Sequence, residues 1–595
     1  MVLEEEPLAF FEWLQHQIVP YALLLVLGIL VMATMAFLVL AFRYGPNVAG
    51  DSLYRFFVGA GQDLMATSPR RIWALARLAM QESLRRRVLA GLAVYLLILL
   101  FTGWFLDTSN KDPAQLYLSF VLNSTTGLAL VLGLFLSSFS LPLDIRNRTI
   151  YSIVTKPVRS HELLLGRILG FSIIGTGILA VMALLSYVFV VRSLSHTHEV
   201  EVDSLVAPQK DTPGVLVGRT SFDQNHRHEL TIRSDGYSST DMAQNHWHEI
   251  KVHKQGDKTT YTLGPPEDLF MARVPVYGTL RFLDRRGKGV DRGISVGAEW
   301  KYRSYIEGGT DAAAIWTFND ITPEKYPNGL PLELNIRVFR TYKGDIKTGI
   351  LGSLRVRNPR TGKMSAIDTF RAKDFAIDQR LIPRQLQTSE GEPLDLFEDL
   401  ADNGSVEVWL QCGEPSQYYG VAKADVYLRA RDASFFVNFC KGYIGSWVEM
   451  VLVISFSMVF STFLTGGVAM LSATSAFVLG RFGHFVHKLT MPDNEGGGPL
   501  ESLVRNANHS NMMTPLEEGF TTTFIKRFDE VSLWILDRMA HILPNFGEIN
   551  NIDYVTYGYD IPGNVVAVQL FAMLGYLTVV FIAGYVFLKT REIAQ

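Results

Sequence analysis

Five apolar runs, at 18–42, 88–106, 116–143, 163–191 and 564–588, are each long enough to cross a bilayer, and a sixth, at 443–482, is about twice that length. Crossing ~30 Å of hydrocarbon takes ~20 helical residues, and a chain inside lipid must satisfy every backbone polar group internally. The long run is interrupted by Thr465-Gly466-Gly467, so it divides into two helices joined by a tight turn, making seven spans. Charged residues are only 19% of the 595-residue chain and the mean hydropathy is +0.16. The expected fold class is an α-helical polytopic membrane protein with an inserted β-rich domain. The first twenty residues carry four Glu and neither Lys nor Arg, unlike the basic start of a secretory signal. The net charge of −3 gives no global basic field for nucleic acid.

Basic residues in short loops set orientation. They cluster in 43–87, in the 144–170 loop (Arg146, Arg148, Lys156, Arg159, Arg167) and at Lys589 and Arg591. These segments are expected on the cytoplasmic side of the cell (inner) membrane. The acidic N-terminus, 192–442 and 483–563 then lie outside. The organisation is a first helix (1–43), a cytoplasmic linker with an amphipathic entry helix (44–87), spans with a cytoplasmic loop at 144–167 (88–191), an extracytoplasmic β-rich domain (192–442), a helical hairpin (443–482), an outer loop with an amphipathic helix (483–563), and a last span with its tail (564–595). Arg481, His484, His487 and Lys488 sit against this scheme, on the outer side of the sixth span.

Region 192–442 alternates apolar and polar residues in "LPLELNIRVF" (330–339) and "SVEVWLQC" (405–412), the period of half-buried strands. A β-sandwich or a pair of β-rich lobes is expected. Its histidines form a pattern: "SHTHEV" (195–200), "QNHRHEL" (224–230) and "QNHWHEI" (244–250) each contain His-x-His-Glu, and the last two share a longer frame. On a strand, residues two apart face the same side, so each pair can offer two imidazoles to a divalent metal. Candidate ligands are His196, His198, His226, His228, His246 and His248, with His226, His228, His246 and His248 the foremost. The alternative is a pair of hairpins whose histidines face solvent or stack on Trp247. The stretch 233–240 suits a hairpin turn. Cys412 and Cys440 are either a disulfide or two free thiols.

Nothing in the chain resembles a motor or a hydrolase. "RTGKMS" (360–365) lacks the first Gly and the final Ser/Thr of a phosphate-binding loop, and neither Gly-x-Ser-x-Gly nor His-Glu-x-x-His occurs. No enzyme activity and no cofactor of its own are expected. Glu449 lies about two turns into the fifth span, where we expect it to reach the outer interface.

The loop between the third and fourth spans is written more tightly than a connector needs. In "RTIYSIVTKP", Ile150, Ile153 and Val154 share a helical face, Pro157 stops the helix, and Ser160 is a candidate N-cap for a restart through Glu162. "RNRTIYSIVTKPVRSHELLLGRILG" resembles the cytoplasmic coupling loop of ABC-2-type transporter permeases at Thr149, Lys156, Pro157, Val158, Glu162, Leu164, Leu165, Gly166, Arg167, Leu169 and Gly170; Arg148 stands where that family usually has Gly. Residues 75–100 are similar to its entry helix and first core span, 460–471 to its span junction, and 542–593 to its outer re-entrant segment and last span. The resemblance covers 70–191 and 443–593. It implies a six-span core, to which this chain adds a first helix and the 192–442 insertion. It further implies a dimer of permease halves and a separate ATP-binding subunit that docks on Arg148, Thr149, Ile150, Ile153, Val154, Lys156, Pro157, Arg159 and Glu162. ATP-driven export of an undetermined cargo is the expected function. The alternative is a mechanotransmission protein that relays ATPase motion to its outer domain and moves no cargo. A third reading, a membrane-anchored metal sensor without a motor, leaves the coupling loop unexplained.

Overall fold

The computed structural model describes residues 8–85, 89–106, 112–148, 158–206, 215–233, 238–244, 246–255, 258–296, 303–341, 349–373, 378–490, 498–509 and 519–590. Six helices come first: α1 (Phe10–Tyr44), α2 (Pro46–Met65), α3 (Pro69–Arg85), α4 (Leu89–Phe105), α5 (Pro113–Arg146) and α6 (Ser160–Leu194). After the β-rich region follow α7 (Phe435–Phe463), α8 (Gly466–Arg481), α9 (Gly483–Thr490), α10 (Pro499–Ala507), α11 (Phe520–Ile542), α12 (Phe546–Ile549), α13 (Ile552–Thr556) and α14 (Gly563–Thr590).

Five of these, α1, α5, α6, α7 and α14, are long and apolar enough to cross a membrane, which fits a membrane protein. Helix α1 buries no residue; it touches α14 through Phe10 against Phe571 and the Tyr21 hydroxyl on the Gly575 carbonyl (3.0 Å), and most of its apolar surface stays open, as suits lipid. Two of the seven expected spans fall on shorter described helices. Helix α4 has 17 residues and α8 has 16, about 24–26 Å at 1.5 Å per residue, short of the ~30 Å hydrocarbon. The chain does break at the Thr-Gly-Gly site: α7 ends at Phe463 and α8 starts at Gly466.

Helices α3 and α6 meet through small residues. A Cβ on Gly166 would lie 2.5 Å from Leu75 Cβ and 3.0 Å from the Ile72 carbonyl; one on Gly170 would lie 2.5 Å from the Ala76 carbonyl. Hydroxyls pin α5 to α7: Thr126 bonds Ser446 at 2.7 Å and Ser138 bonds Ser457 at 2.5 Å. Such contacts substitute for the hydrophobic drive that lipid removes. Helix α11 is amphipathic as its spacing predicts. It buries Asp529, Leu533 and Asp537 and exposes Phe524, Phe528, Val531 and Trp534.

The chain divides into two compact units, one of residues 270–438 with 557–560, the other comprising the remainder of the described chain. The first unit is a β-sandwich. A six-stranded and a four-stranded antiparallel sheet share one core that includes Trp316, Leu332, Leu354, Val408 and Leu428. A buried ion pair, Arg303 Nε to Asp425 Oδ2 at 2.9 Å, is completed by the Ala422 N–H. Of the two alternatives expected for 192–442, the described residues follow the pair of lobes: those of 195–269 belong to the helical unit and form a sheet of their own. The lobe is one five-stranded antiparallel sheet of β1 (Val215–Arg219), β2 (Glu229–Arg233), β3 (Ser239–Thr240), β4 (Trp247–Gln255) and β5 (Lys258–Glu267). Among the described residues its apolar core is Leu230, Ile232 and Ile250, with Val200, Leu205, Leu216, Tyr261 and Leu263 half-buried against them. Cys412 and Cys440 are both free thiols, Cys412 buried and Cys440 exposed.

Candidate functional site

Three polar constellations stand out, and the sequence singled out part of each. The first gathers at the start of α6. Of the nine residues assigned to the coupling loop, Thr149, Ile150, Ile153, Val154, Lys156 and Pro157 lie outside the described residues. Arg148 follows α5 at φ +60°, exposed. Arg159, not Ser160, is the N-cap of α6, and Ser160 is its first helical residue. The reason is Glu162, whose carboxylate accepts the Arg159 N–H at 3.2 Å from the first turn.

Glu162 is fully buried and does more than cap α6. Arg71 grips it twice, Nε to Oε2 at 2.8 Å and Nη2 to Oε1 at 2.7 Å. The Ser68 N–H donates at 2.8 Å, so one carboxylate caps α3 and α6 together. Arg159 reaches Asp63 on α2 at 2.7 Å. Asp63 in turn accepts from Tyr585 (2.7 Å) and Lys589 (2.9 Å) on α14. Burial opposes charge on Asp63, but the Lys589 and Tyr585 bonds outweigh it and lower its pKa. Further along, buried Arg167 pairs with Asp144 at the end of α5 and with Glu82 on α3 at 3.7 Å. Both shoulders of the 149–157 segment are thus clamped by charge. Sequence reasoning found Arg159 and Glu162 but missed Asp63, Arg71, Asp144 and Lys589, charged groups beside apolar runs whose partners lie up to hundreds of residues away.

The second constellation surrounds Glu449. Helix α7 begins eight residues before the apolar run, so Glu449 stands midway between its ends and is buried among protein groups. Its partner is Arg481, Nη1 to Oε1 at 3.1 Å, with Asn550 donating at 3.4 Å. The shortness of α8 delivers Arg481 to that depth. Arg481 also donates to the Phe546 carbonyl at 3.0 Å, and Asn551 and Gln569 exchange amide bonds at 2.9 and 2.8 Å. These amides satisfy the irregular backbone between α12 and α13, which buries Phe546, Ile549, Ile552 and Val555. Replacing Glu449 with Gln should lower stability by about 1–3 kcal/mol, because an amide answers the arginine with a weaker, neutral acceptor. Thermal unfolding in detergent measures this, and a variant as stable as the parent removes the pair's importance.

The third constellation is the histidine cluster. The Gln-Asn shared by two repeats proves to be a tight turn. Gln224 and Asn225 have φ of +42° and +64°, Gln244 has +48°, and the turns close through paired backbone bonds between Asp223 and His226 and between Ala243 and His246. Each turn leads into a strand: His226 and His228 lie in the extended stretch just before β2, and His246 and His248 flank Trp247, the first residue of β4. Thr220 and Thr240 hydroxyls accept the His228 and His248 N–H groups at 2.9 and 2.8 Å, fixing the two repeats alike. Strand alternation then buries every His of the three pairs, 0–8% exposed, and turns Glu199 and Glu229 outward. The hairpins with solvent-facing histidines are ruled out, and Trp247 donates to Asp268 instead (3.2 Å).

All six rings point Nε2 at one spot. His246 Nε2 lies 3.0 Å from that of His196, 3.1 Å from His226 and 3.3 Å from His228; His198 lies 3.1 Å from His226. Every Nδ1 faces a carbonyl oxygen: Leu194 (2.9 Å), Gln224 (3.1 Å) and Gln244 (3.3 Å) for the first His of each pair, and Ser221 (2.8 Å), Asp241 (3.0 Å) and Gly264 (2.9 Å) for the second. A carbonyl only accepts, so each Nδ1 carries the proton and each Nε2 a bare lone pair. Burial and the neighbouring imidazoles hold His246 down to about 2, His228 to about 3 and His248 to about 4, so protonation does not relieve the crowding near neutral pH. Compared with known protein families, curated protein sequences and solved structures, the chain matches none of them.

Proposed function

We propose that this chain is the membrane subunit of an ATP-driven ABC-2-type export system of the cell (inner) membrane. It works as a dimer, and ATP hydrolysis occurs on a separate ABC ATP-binding subunit. The observation that carries the reading is the clamped base of the 144–167 loop. A lever transmits force only if its ends do not yield. Here Glu162 joins the starts of α3 and α6, and Arg167 joins α6 to α5 and α3. The loop's basic residues support a cytoplasmic position. Arg148 adds a further argument: it occupies the left-handed region that glycine enters most readily, at the position where the family carries glycine. The β-rich insertion is then extracytoplasmic.

A second reading, relay of ATPase motion without cargo, is favoured by α6 itself. This one helix of 35 residues, about 52 Å at 1.5 Å per residue, runs from Glu162 at its first turn to Leu194, whose carbonyl holds His196. Replacing Ile153 and Val154 with Asp should abolish co-purification of the ATPase with the tagged chain, by placing charge on the docking face. An ATPase that still co-purifies in full refutes the lever. An epitope beside Lys156 should be reached only after permeabilisation. ATP-dependent flux of a labelled compound in vesicles separates export from relay.

A further inference from the structure

We propose that His196, His198, His226, His228, His246 and His248 bind one divalent first-row transition-metal ion in an octahedral, six-nitrogen site. This inference does not rest on the transport reading.

The geometry is that of an octahedron, in which each vertex has four neighbours and one opposite. Each ring meets four of the other five edge-to-face, at centroid distances of 4.7–5.4 Å and angles of 73–89°, and leaves out one. The omitted pairs are His196 with His228, His226 with His248, and His246 with His198. Each opposes the first His of one repeat to the second His of another, in cyclic order, which is a three-fold arrangement. Adjacent donors of an octahedron stand √2 times the metal–nitrogen bond apart. Separations of 3.0–3.3 Å therefore correspond to bonds of about 2.1–2.3 Å, the range for imidazole on a divalent metal. His198 and His246, an opposite pair, still keep their donor atoms within 4.8 Å, as a shared ion between them requires.

Without an ion this arrangement has no favourable account. Two Nε2 lone pairs 3.0 Å apart repel, since neither carries a proton to share. His248 Nε2 is buried with no hydrogen-bond partner. Among the described residues the lobe's apolar core is three buried side chains with five half-buried ones against them, a small core for a five-stranded sheet. A metal supplies the missing cohesion, as in small domains that fold around one.

The donor set narrows the ion. Six neutral imidazoles are intermediate donors that suit iron, cobalt, nickel, copper and zinc rather than calcium or magnesium. Six-coordination disfavours zinc, which prefers four ligands, and copper(II), which prefers a tetragonal field. Nickel(II), cobalt(II) and iron(II) remain. Protein nitrogens fill all six positions, so no place is left for water or substrate; the role is to hold the lobe or to sequester the ion, not catalysis.

The test uses the full chain, purified in detergent through a tag without histidine, stripped with a chelator and loaded separately with nickel, cobalt, zinc and, without air, iron(II). Elemental analysis should find one nickel or cobalt per chain. The cobalt form should show the weak visible bands of six-coordination. Thermal unfolding of the loaded protein should lie above that of the stripped protein. His228→Ala with His246→Ala should reduce bound metal to background, whereas Glu229→Ala, on an outward side chain of the same strand, should leave it at one per chain. Wild-type protein that takes up none of the four ions overturns the proposal without relying on any variant's folding. Intense four-coordinate cobalt bands, or full metal content in the double histidine variant, overturn it equally.

Discussion

Replacing Gly170 with Leu is expected to separate α3 from α6 and to cost at least about 3 kcal/mol, the upper part of the range for overpacking a tight interface. Even a single added carbon at this position would meet the Ala76 carbonyl at 2.5 Å and Ala79 Cβ at 2.8 Å. A backbone oxygen in a helix cannot step aside as a side-chain end can, so the whole helix moves. Arg71 travels with it and loses Glu162. Thermal unfolding in detergent reads the loss of stability, and ATPase co-purification reads the loss of the lever's seat. Gly177 is the control on the same helix: a Cβ there has nothing within 4 Å, so Gly177→Leu should leave both measurements unchanged. If the two variants behave alike, close packing at Gly170 is not what joins the helices.

Replacing Glu162 with Ala is expected to cost about 1–3 kcal/mol, the range for leaving hydrogen-bonding groups without their partner, since Arg71 is partly exposed and can turn to water. The change leaves an arginine and two helix N-termini without their acceptor. Glu162→Gln retains one carbonyl oxygen and turns the other position into a donor aimed at donors, so it should recover only part of the loss. Because Gly170→Leu already breaks the Arg71 contact, the double variant should lose less than the two single losses combined. Strict additivity would show that α3 keeps its grip on Glu162 when the glycine seam is filled, and the clamp would then have another basis.

Much of the architecture was legible as local pattern. The apolar runs at 18–42, 116–143, 163–191 and 564–588 all lie within helices long enough to span a membrane, because hydropathy over twenty consecutive residues is a property of the chain itself. The Thr-Gly-Gly break between α7 and α8 was visible for the same reason. Depth was not. Glu449 looked near an end because apolarity begins at 443, whereas its helix starts at Phe435, and nothing local announces that α8 stops at Arg481 to meet it. A pair of β-rich lobes in 192–442 was one of two expectations, but the boundary at 269/270 was not legible, since both parts alternate with the same period of two.

The histidine cluster draws the line between the two kinds of information. The sequence by itself determined that each His-x-His pair faces one way, since side chains alternate along an extended chain, and that two of the pairs sit in one repeated frame. Only the tertiary structure decided that the three pairs meet. Their convergence depends on strand register across separations of 20 to 50 residues and on the end of α6 placing His196 beside His246. Side-chain direction is set by a residue's own backbone; a shared centre is set by how distant segments pack, and no short stretch of chain contains that information.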